Sequence, residues 1–240
     1  MLVVGFPAGA FHANCYVLAL GSGGECVIVD PGEGALAPVT EAIGQHRLTP
    51  AAVLATHGHV DHIHSAAELA DGHGIPVWIK REDRPLLSDP AKGIGPELAS
   101  AVSGSGLPLD LREPAEVGEF DDLGPLDDTG DVELAVAGLR IRVCHTPGHT
   151  PGSVVFRLRT AEGASLAFTG DTLFAGSVGR SDLPGGDVRE LARSLRTTLW
   201  PLADDTVVLP GHGASTTIGT EKVSNPYFGA GGAGNGGSNE

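Results

Sequence analysis

Four short apolar segments of this chain each lead into a polar residue flanked by glycine or proline. Such segments are typical of buried strands, and side chains at the carboxyl ends of neighbouring strands converge on a shared cleft. The segments are 51–55, 141–144, 166–168 and 207–209, and the polar residues that follow them are His57, His149, Asp171 and His212. The pattern predicts a sheet protein whose polar side chains gather at one end of the strands.

The first of these strand ends carries the densest group of histidines. Residues 56–62 read Thr-His-Gly-His-Val-Asp-His, so an H-x-H-x-D-H string lies between a predicted strand and a predicted helix. His57 and His59 point to the same side if the chain stays extended, and Gly58 allows a tight turn between them. Asp61 and His62, at the start of the helix, can face a second point close by.

Together the four strand ends supply the candidate metal ligands. These are His57, His59, Asp61, His62, His149, Asp171 and His212. Any one of them alone is typical of a polar residue satisfied in a turn, but the whole set favours a metal centre. Imidazoles and carboxylates without thiolates suit zinc, and also iron or manganese. The set exceeds one tetrahedral site, so we expect two divalent metal ions that share a carboxylate.

The predicted elements alternate between strands and helices and then pass through several strands in succession. Helices are expected at 38–45, 62–71, 96–102, 187–199 and 219–223. Strands are expected at 2–6, 14–20, 26–29, 51–55, 77–80, 132–136, 139–145, 153–158, 165–168 and 206–209. Strands in this number with helices outside them predict two sheets packed face to face between helical layers.

One domain over residues 1–228 is predicted, because no internal linker divides the chain. Residues 229–240 are mostly glycine and lack the apolar surface that would offset the entropy of ordering, so we expect a disordered tail. Residues 83–131 are less regular, and composition alone assigns them no role. The ten carboxylates between Asp110 and Glu133 are expected to lie in a solvated loop.

Charge and hydropathy exclude several classes of partner. The formal net charge is −15, and a chain this acidic repels the phosphates of nucleic acids. No apolar run approaches the roughly 18 residues needed to span a bilayer, and the N-terminal residues have no basic segment of the kind that begins a signal peptide. A cytoplasmic location without a membrane partner is therefore expected. Cys15, Cys26 and Cys144 form no disulfide or C-x-x-C motif and are expected to be buried free thiols.

The H-x-H-x-D-H string, followed in order by His149, Asp171 and His212, resembles the metallo-β-lactamase superfamily, and within it the glyoxalase II-like hydrolases. The resemblance extends over residues 1–227. By this resemblance the fold is α/β, an αββα sandwich with two mixed β-sheets between helical layers. The implied ligand sets are His57, His59 and His149 for one metal ion and Asp61, His62 and His212 for the other, with Asp171 bridging them.

Two further stretches resemble glyoxalase II-like proteins more than β-lactamases. Residues 169–174 read Thr-Gly-Asp-Thr-Leu-Phe, which is similar to the glyoxalase II group. Residues 179–182 read Gly-Arg-Ser-Asp, which resembles a turn in small bacterial glyoxalase II-like proteins and in persulfide dioxygenases. Arg180 stands where the family has a basic contact with the thiol carrier, so it is the candidate substrate-binding residue. The family's aromatic residue two positions later is Asp182 here.

The implied reaction is hydrolysis of a small-molecule acyl-thiol, S-lactoylglutathione or a related thioester, by a hydroxide that bridges two divalent ions. Asp61 is expected to orient the hydroxide and Asp171 to bridge the ions, so these two are the candidate catalytic residues. A thiol has a pKa near 8.5 and can leave as thiolate with little help from an acid, whereas a lactam nitrogen is a poorer leaving group.

Other activities stay open at this point. A mononuclear iron persulfide dioxygenase on the same fold would use a centre of His57, His149 and Asp171. Another hydrolase of the same fold would use the full ligand set. A non-catalytic metal-binding module is disfavoured, because structural metal sites close their ligand shells. An RNA-processing nuclease of this superfamily is disfavoured by the length and the acidic charge of the chain.

Overall fold

The computed structural model describes residues 1–104 and 108–228. Within these ranges the chain forms two six-stranded sheets and a two-stranded ribbon. The glycine-rich segment for which a disordered tail was expected, residues 229–240, lies outside the described residues. The prediction of one domain over 1–228 stays a prediction.

The first sheet is built from the N-terminal half of the chain. Its strands are β1 (Leu2–Ala8), β2 (Ala13–Ala19), β3 (Glu25–Val29), β4 (Thr49–Leu54), β5 (Val77–Ile79) and β6 (Val117–Glu119), adjacent in that order. Strands β1 to β3 pair antiparallel, and β3 to β6 pair parallel. The sheet is therefore mixed, as expected.

The second sheet is built from the C-terminal half. The strands of this half are β7 (Val132–Val136), β8 (Leu139–His145), β9 (Val154–Arg159), β10 (Ser165–Gly170), β11 (Leu173–Phe174), β12 (Ser177–Val178), β13 (Val207–Pro210) and β14 (Thr216–Thr217). The sheet order is β14-β13-β10-β9-β8-β7, while β11 and β12 form the ribbon. Strands β10 and β13 are parallel and the other pairs are antiparallel, so this sheet is also mixed.

The helices lie on the outer faces of the two sheets. They are α1 (Leu36–His46), α2 (Val60–Ile63), α3 (Ala66–His73), α4 (Ala91–Gly104), α5 (Val188–Ser194) and α6 (Ile218–Ser224), and α5 continues as a π-helical turn over Leu195–Leu199. Apolar residues of α1 and α3 pack on the first sheet, and those of α5 and α6 pack on the second. A third apolar cluster fills the space between the sheets. The predicted αββα sandwich is confirmed.

Strand β8 shows how the sequence produces this layering. Its residues alternate between apolar and polar, so that Leu139, Ile141 and Val143 face the core between the sheets while Arg140 and Arg142 face outward. Successive side chains of a strand point to opposite faces. A strand with this alternation buries one face of its sheet and leaves the other for solvent or a helix.

The single helix predicted over 62–71 is wrong, because the segment divides into α2 and α3 at His64 and Ser65. The backbone N–H of Ser65 donates to the carbonyl of Pro31 at 2.9 Å, and its hydroxyl donates to the carbonyl of Gly32 at 2.7 Å. These bonds anchor the break to the loop after β3. The sequence pattern of the helix contains no information on this distant loop.

The solvated loop expected between Asp110 and Glu133 is also partly wrong. Residues Val117–Glu119 pair with β5 as the edge strand β6. Asp121 forms an ion pair with Lys80, and Asp131 is buried and binds Arg142 at 2.6 Å. Several carboxylates of this stretch therefore pair with arginine and lysine side chains.

The three cysteines are buried and free of disulfide bonds, which confirms that prediction. Among the described residues, no helix has the length and apolar character needed to cross a bilayer. The cytoplasmic location stays a prediction.

Candidate metal centre

The seven predicted ligands lie in one cluster at the carboxyl ends of strands from both sheets. The loop after β4 carries His57 and His59, and α2, which follows it, carries Asp61 and His62. His149, Asp171 and His212 follow β8, β10 and β13. The structure therefore brings together all seven residues that the sequence assigned as metal ligands.

Three histidines form what we call the three-imidazole group. The ligand atoms of His57, His59 and His149 lie within 4.8 Å of one another. His59 Nδ1 is 2.8 Å from His149 Nε2. All three side chains are buried, with 1% to 4% of their surface exposed. Three nitrogens at this spacing can surround one cation, since zinc binds imidazole nitrogen at about 2.0–2.1 Å.

Asp61, His62 and His212 form a second cluster, the carboxylate group. Their ligand atoms also lie within 4.8 Å of one another. His212 Nε2 is 3.1 Å from Asp61 Oδ2 and 3.3 Å from His62 Nε2. The His62 side chain is completely buried, whereas that of His212 is 29% exposed. This group therefore lies closer to solvent than the three-imidazole group.

Asp171 lies between the two groups. One carboxylate oxygen, Oδ1, is 3.4 Å from His62 Nε2. The other, Oδ2, is 3.6 Å from His149 Nε2 and 3.6 Å from His212 Nε2. A carboxylate that reaches ligands of both groups occupies the position expected of a bridging ligand.

Backbone carbonyls fix the orientation of two rings in the three-imidazole group. His59 Nε2 donates to the carbonyl oxygen of Gly93 at 3.2 Å, and His149 Nδ1 donates to that of Arg180 at 2.7 Å. A carbonyl can only accept, so the other nitrogen of each ring has a free lone pair. In His59 this nitrogen is Nδ1 and in His149 it is Nε2. These two atoms face each other. Such partners fix the tautomer that a metal ligand requires.

Asp30 supports one histidine of each group. Its carboxylate accepts from the backbone N–H and the hydroxyl of Thr56, both at 2.7 Å, and from His62 Nδ1 at 3.1 Å. Because the hydroxyl proton of Thr56 is used on Asp30, its oxygen accepts from His57 Nδ1 at 3.0 Å. This contact leaves Nε2 as the ligand atom of His57. Asp30 therefore holds His62 directly and His57 through Thr56.

Two buried polar atoms at the centre of the cluster test whether a cation fits. Within the described part of the chain, His57 Nε2 and Asp171 Oδ1 have no hydrogen-bond partner. Buried polar atoms of folded proteins are nearly always paired. Both atoms can offer a lone pair to a cation, so metal ions bound in the cluster would satisfy both. The residues present therefore fit a metal centre.

The three-imidazole group favours neutral rings. Burial and the neighbouring His62 hold the pKa of His57 well below its ordinary value. Burial, followed by the neighbouring His149, lowers the pKa of His59 to about 4. Burial also lowers the pKa of His149 to about 4. These rings are unprotonated at neutral pH, which is the state that binds a cation.

The carboxylate group shows the opposite tendency. Burial lowers the pKa of His62, but the carboxylates of Asp61 and Asp171 outweigh burial and the net shift is upward. Burial also opposes the charge of His212, yet its hydrogen bond to Asp61 and the charge of Asp171 raise its pKa. Burial raises the pKa of Asp171 itself, whereas the positive neighbours of Asp61, His62 first, lower the pKa of that carboxyl against the effect of burial.

Two residues of the site were missed by sequence reasoning. Gly93 acts through its carbonyl, for which a sequence contains no side-chain signal. Asp83, a buried carboxylate, bonds the loops that carry His57, His59 and His149. It lies in the stretch 83–131, to which the sequence assigned no role, and no motif surrounds it.

Arg180, the candidate substrate-binding residue, lies beside the three-imidazole group with its side chain exposed. Its guanidinium binds Asp182 through two hydrogen bonds of 2.7 and 2.8 Å. Its carbonyl, as described above, orients His149. The backbone of Arg180 therefore belongs to the site in the structure, and the role of its side chain stays a prediction.

Comparison with known proteins agrees with this geometry. A model of the Metallo-beta-lactamase superfamily matches residues 8–212. Hydroxyacylglutathione hydrolase GloC from Haemophilus influenzae is 35% identical over 223 residues, which are 92% of this chain and 95% of that protein.

Two solved structures share the fold over nearly the whole chain. BLEG-1, a B3 metallo-beta-lactamase, has a TM-score of 0.76 and 34% identity, covering 95% of this chain and 99% of that chain. TTHA1623 in a di-iron-bound form has a TM-score of 0.71 and 33% identity, covering 93% and 99%. The family match spans most of the chain and contains all seven clustered residues. The chain therefore belongs to the metallo-beta-lactamase superfamily, as a metal-dependent hydrolase.

Proposed function

We propose that this protein hydrolyses the thioester bond of a small acyl-thiol, S-lactoylglutathione or a related compound, with two divalent cations. The observation that carries the proposal is the position of Asp171 between two complete ligand groups. Three imidazoles on one side and Asp61, His62 and His212 on the other provide for two adjacent ions. The likeness to hydroxyacylglutathione hydrolase GloC supports a thioester as the substrate.

The donor set favours zinc and also accommodates iron. Five imidazoles and two carboxylates, with no thiolate, are ligands typical of zinc, iron and manganese. We propose zinc as the resident metal. The di-iron form of TTHA1623 shows that a related chain holds iron, so iron is the principal competitor. Bound at these groups, two cations would lower the pKa of water towards about 7 and stabilise negative charge on a carbonyl oxygen.

The protein's own carboxylates act on the attacking water. The pKa of Asp61 is shifted downward despite burial, because His62 and His212 favour the charged form. At neutral pH Asp61 is therefore a charged acceptor that can orient a water molecule. Asp171 reaches ligands of both groups, so it fixes the spacing between them.

The leaving group distinguishes a thioester from a lactam. A thiolate departs without a proton, since thiols have a pKa near 8.5, whereas an amine nitrogen needs one. Two side-chain donors near the ligands already have partners. The Tyr16 hydroxyl donates to the carbonyl of Pro210 at 2.7 Å, and the guanidinium of Arg180 is paired with Asp182. Because neither of these two donors is free to protonate a leaving nitrogen, a thioester suits this site better.

The test is a set of assays on purified protein whose metal content has been measured by elemental analysis. We expect two metal ions per chain and hydrolysis of S-lactoylglutathione, with much slower turnover of a chromogenic cephalosporin. His59→Ala should remove the activity, and His73→Ala, which changes an exposed histidine outside the cluster, should retain it. Thioester hydrolysis that is absent with two ions bound would contradict the proposal. One iron per chain with oxygen uptake on glutathione persulfide would support the dioxygenase instead.

A further inference from the structure

Asp83 is a completely buried carboxylate, with 0% of its surface exposed. It lies between β5 and a 3₁₀ turn at Arg84–Leu87. Neither its position in the chain nor its neighbours in sequence connect it with the ligand string. Burying a carboxylate is costly unless hydrogen bonds satisfy its oxygens. Its hydrogen-bond partners therefore indicate what this carboxylate does.

Three neutral donors satisfy the Asp83 carboxylate. Oδ2 accepts from the backbone N–H of Gly58 at 2.8 Å and from the hydroxyl of Thr150 at 2.6 Å. Oδ1 accepts from the backbone N–H of Gly152 at 2.8 Å. Hydrogen bonds to an ionised acceptor are roughly twice as strong as neutral ones. One side chain thus connects two separate loops.

Both loops carry ligands of the same group. Gly58 lies between His57 and His59, in the loop after β4 of the first sheet, while Thr150 follows His149 in the loop after β8 of the second sheet. The three bonds of Asp83 therefore join the two backbone segments that bear the three-imidazole group. The contacts do not extend to the carboxylate group.

Gly58 and Gly152 pack closely against Asp83 and its turn. A Cβ atom at Gly58 would lie 2.9 Å from the Asp83 carbonyl oxygen, and one at Gly152 would lie 2.6 Å from its carboxyl carbon. A side chain at Gly152 would push the carboxylate off its donors, and one at Gly58 would press on Leu86, at 2.7 Å, and on the Asp83 backbone, and so displace the turn that carries the carboxylate. The glycine within the H-x-H string is therefore required for approach to Asp83, besides the turn that the sequence suggested.

A merely structural link between the loops already exists. The backbone N–H of Val154 donates to the carbonyl of Thr56 at 2.8 Å and joins the same two segments. A neutral bond of this kind connects the loops without the cost of a buried charge. The carboxylate adds bonds on both sides of the ligand positions, at Gly58 and at Thr150, and so restricts the direction in which the rings point.

We propose that Asp83 is a positioning residue that sets the geometry of the three-imidazole group and thereby its affinity for a cation. The inference rests on the proposed function, because it takes His57, His59 and His149 as the ligands of one ion. Partners outside the ligand shell typically contribute 10- to 100-fold to metal affinity. Loss of the Asp83 bonds should therefore weaken this group and leave the carboxylate group unchanged.

The experiment measures zinc affinity of the metal-free full-length chain by competition with a chromophoric chelator. Asp83→Asn is made in the His212→Ala background, where the three-imidazole group is the intact one, and in the His59→Ala background, where the carboxylate group is intact. We expect zinc binding roughly 10- to 100-fold weaker than the background in the first case and unchanged in the second. Thr150→Val, which removes one donor, should give a smaller loss in the first background.

The control is Asp131→Asn, which changes a buried carboxylate that bonds Arg142 and Cys144 instead of a ligand loop. It should leave both affinities unchanged. If Asp83→Asn does not fold, as judged by thermal unfolding, Thr150→Val decides. Unchanged zinc affinity in that variant and in any folded Asp83 variant would overturn the positioning role alone. If adding His59→Ala to His212→Ala fails to weaken zinc binding, the ligand assignment is wrong and the proposed function fails with it.

Discussion

The two ligand groups of this protein lie side by side, yet their electrostatic surroundings are opposite. In the three-imidazole group, the second nitrogen of each ring faces a neutral oxygen, of Thr56, Gly93 or Arg180. In the carboxylate group, His62 contacts the carboxylate of Asp30 and lies near that of Asp61. In the first group burial outweighs the nearby carboxylates and keeps the rings unprotonated, whereas in the second group the carboxylates outweigh burial and favour protonated rings.

This difference implies unequal competition between metal ions and protons. A cation binds an imidazole only after its proton has left. The lowered pKa values of the three-imidazole group mean that protons compete little at neutral pH. The raised values of His62 and His212 mean that protons compete there at higher pH. We therefore expect one firmly held ion and one that exchanges more readily.

Asp171→Ala should have the largest effect on activity and on metal binding, because the Asp171 carboxylate contacts both ligand groups. We expect hydrolysis to be abolished and both affinities to fall by more than the roughly 10- to 100-fold typical of a partner outside the ligand shell. Turnover and metal content measure the two effects. Asp128→Ala, at an exposed acidic position, is the control. A variant with two ions and full turnover would show that Asp171 does not bridge.

A pair of single-ligand variants tests whether the groups differ as their pKa values indicate. His59→Ala leaves the carboxylate group complete, and His212→Ala leaves the three-imidazole group complete. Each variant should retain one ion per chain at mildly alkaline pH. After mild acidification below the ordinary histidine pKa of about 6.5, His212→Ala should keep its ion and His59→Ala should lose it. Elemental analysis after dialysis measures the metal content of each variant. Equal loss of metal from both variants would show that the two groups do not differ in proton competition.

The unmodified protein should release its ions in two steps as the pH falls. The pKa of His62 and that of His212 lie above the ordinary value, so these rings gain protons first and their ion leaves first. His59 and His149 gain protons only as the pH approaches about 4, so the other ion leaves later. Metal content after dialysis at a series of pH values should show an intermediate with one ion. Release of both ions in a single step would contradict this two-step prediction.

The clustering of the seven candidate ligands could be predicted because each lies on a segment that follows a strand and belongs to a residue type that binds metals. His149, Asp171 and His212 lie far apart in sequence, yet each follows an apolar segment, and the two mixed sheets bring these strand ends together. The layered fold followed from the same segments. Local pattern was sufficient wherever a residue acts through its own side chain at a strand end.

What separates the two groups could not be predicted, since it depends on contacts between distant segments. The carbonyl of Gly93 orients His59 from helix α4, and Asp83 reaches the ligand loops from the turn after β5. A carbonyl carries no residue-specific signal, and a lone aspartate in an irregular stretch resembles many surface residues. The break between α2 and α3 was missed for the same reason, because Ser65 bonds the loop after β3.

Arg180→Gln should have the smallest effect on activity. It tests whether the side chain next to the three-imidazole group contacts the substrate. The variant keeps the carbonyl that orients His149, so zinc content and kcat should not change. Its guanidinium is exposed and already paired with Asp182, and solvent screens charge contacts at such a position, so any contact with the substrate is weak. KM for S-lactoylglutathione should therefore rise by less than about tenfold, since 1.4 kcal/mol corresponds to a factor of ten.

Asp182→Asn frees the same guanidinium, so it should lower KM if Arg180 contacts the substrate. An unchanged KM in both variants would exclude the side chain from substrate binding, while loss of zinc in Arg180→Gln would mean that the side chain, and not only the carbonyl, holds His149 in place.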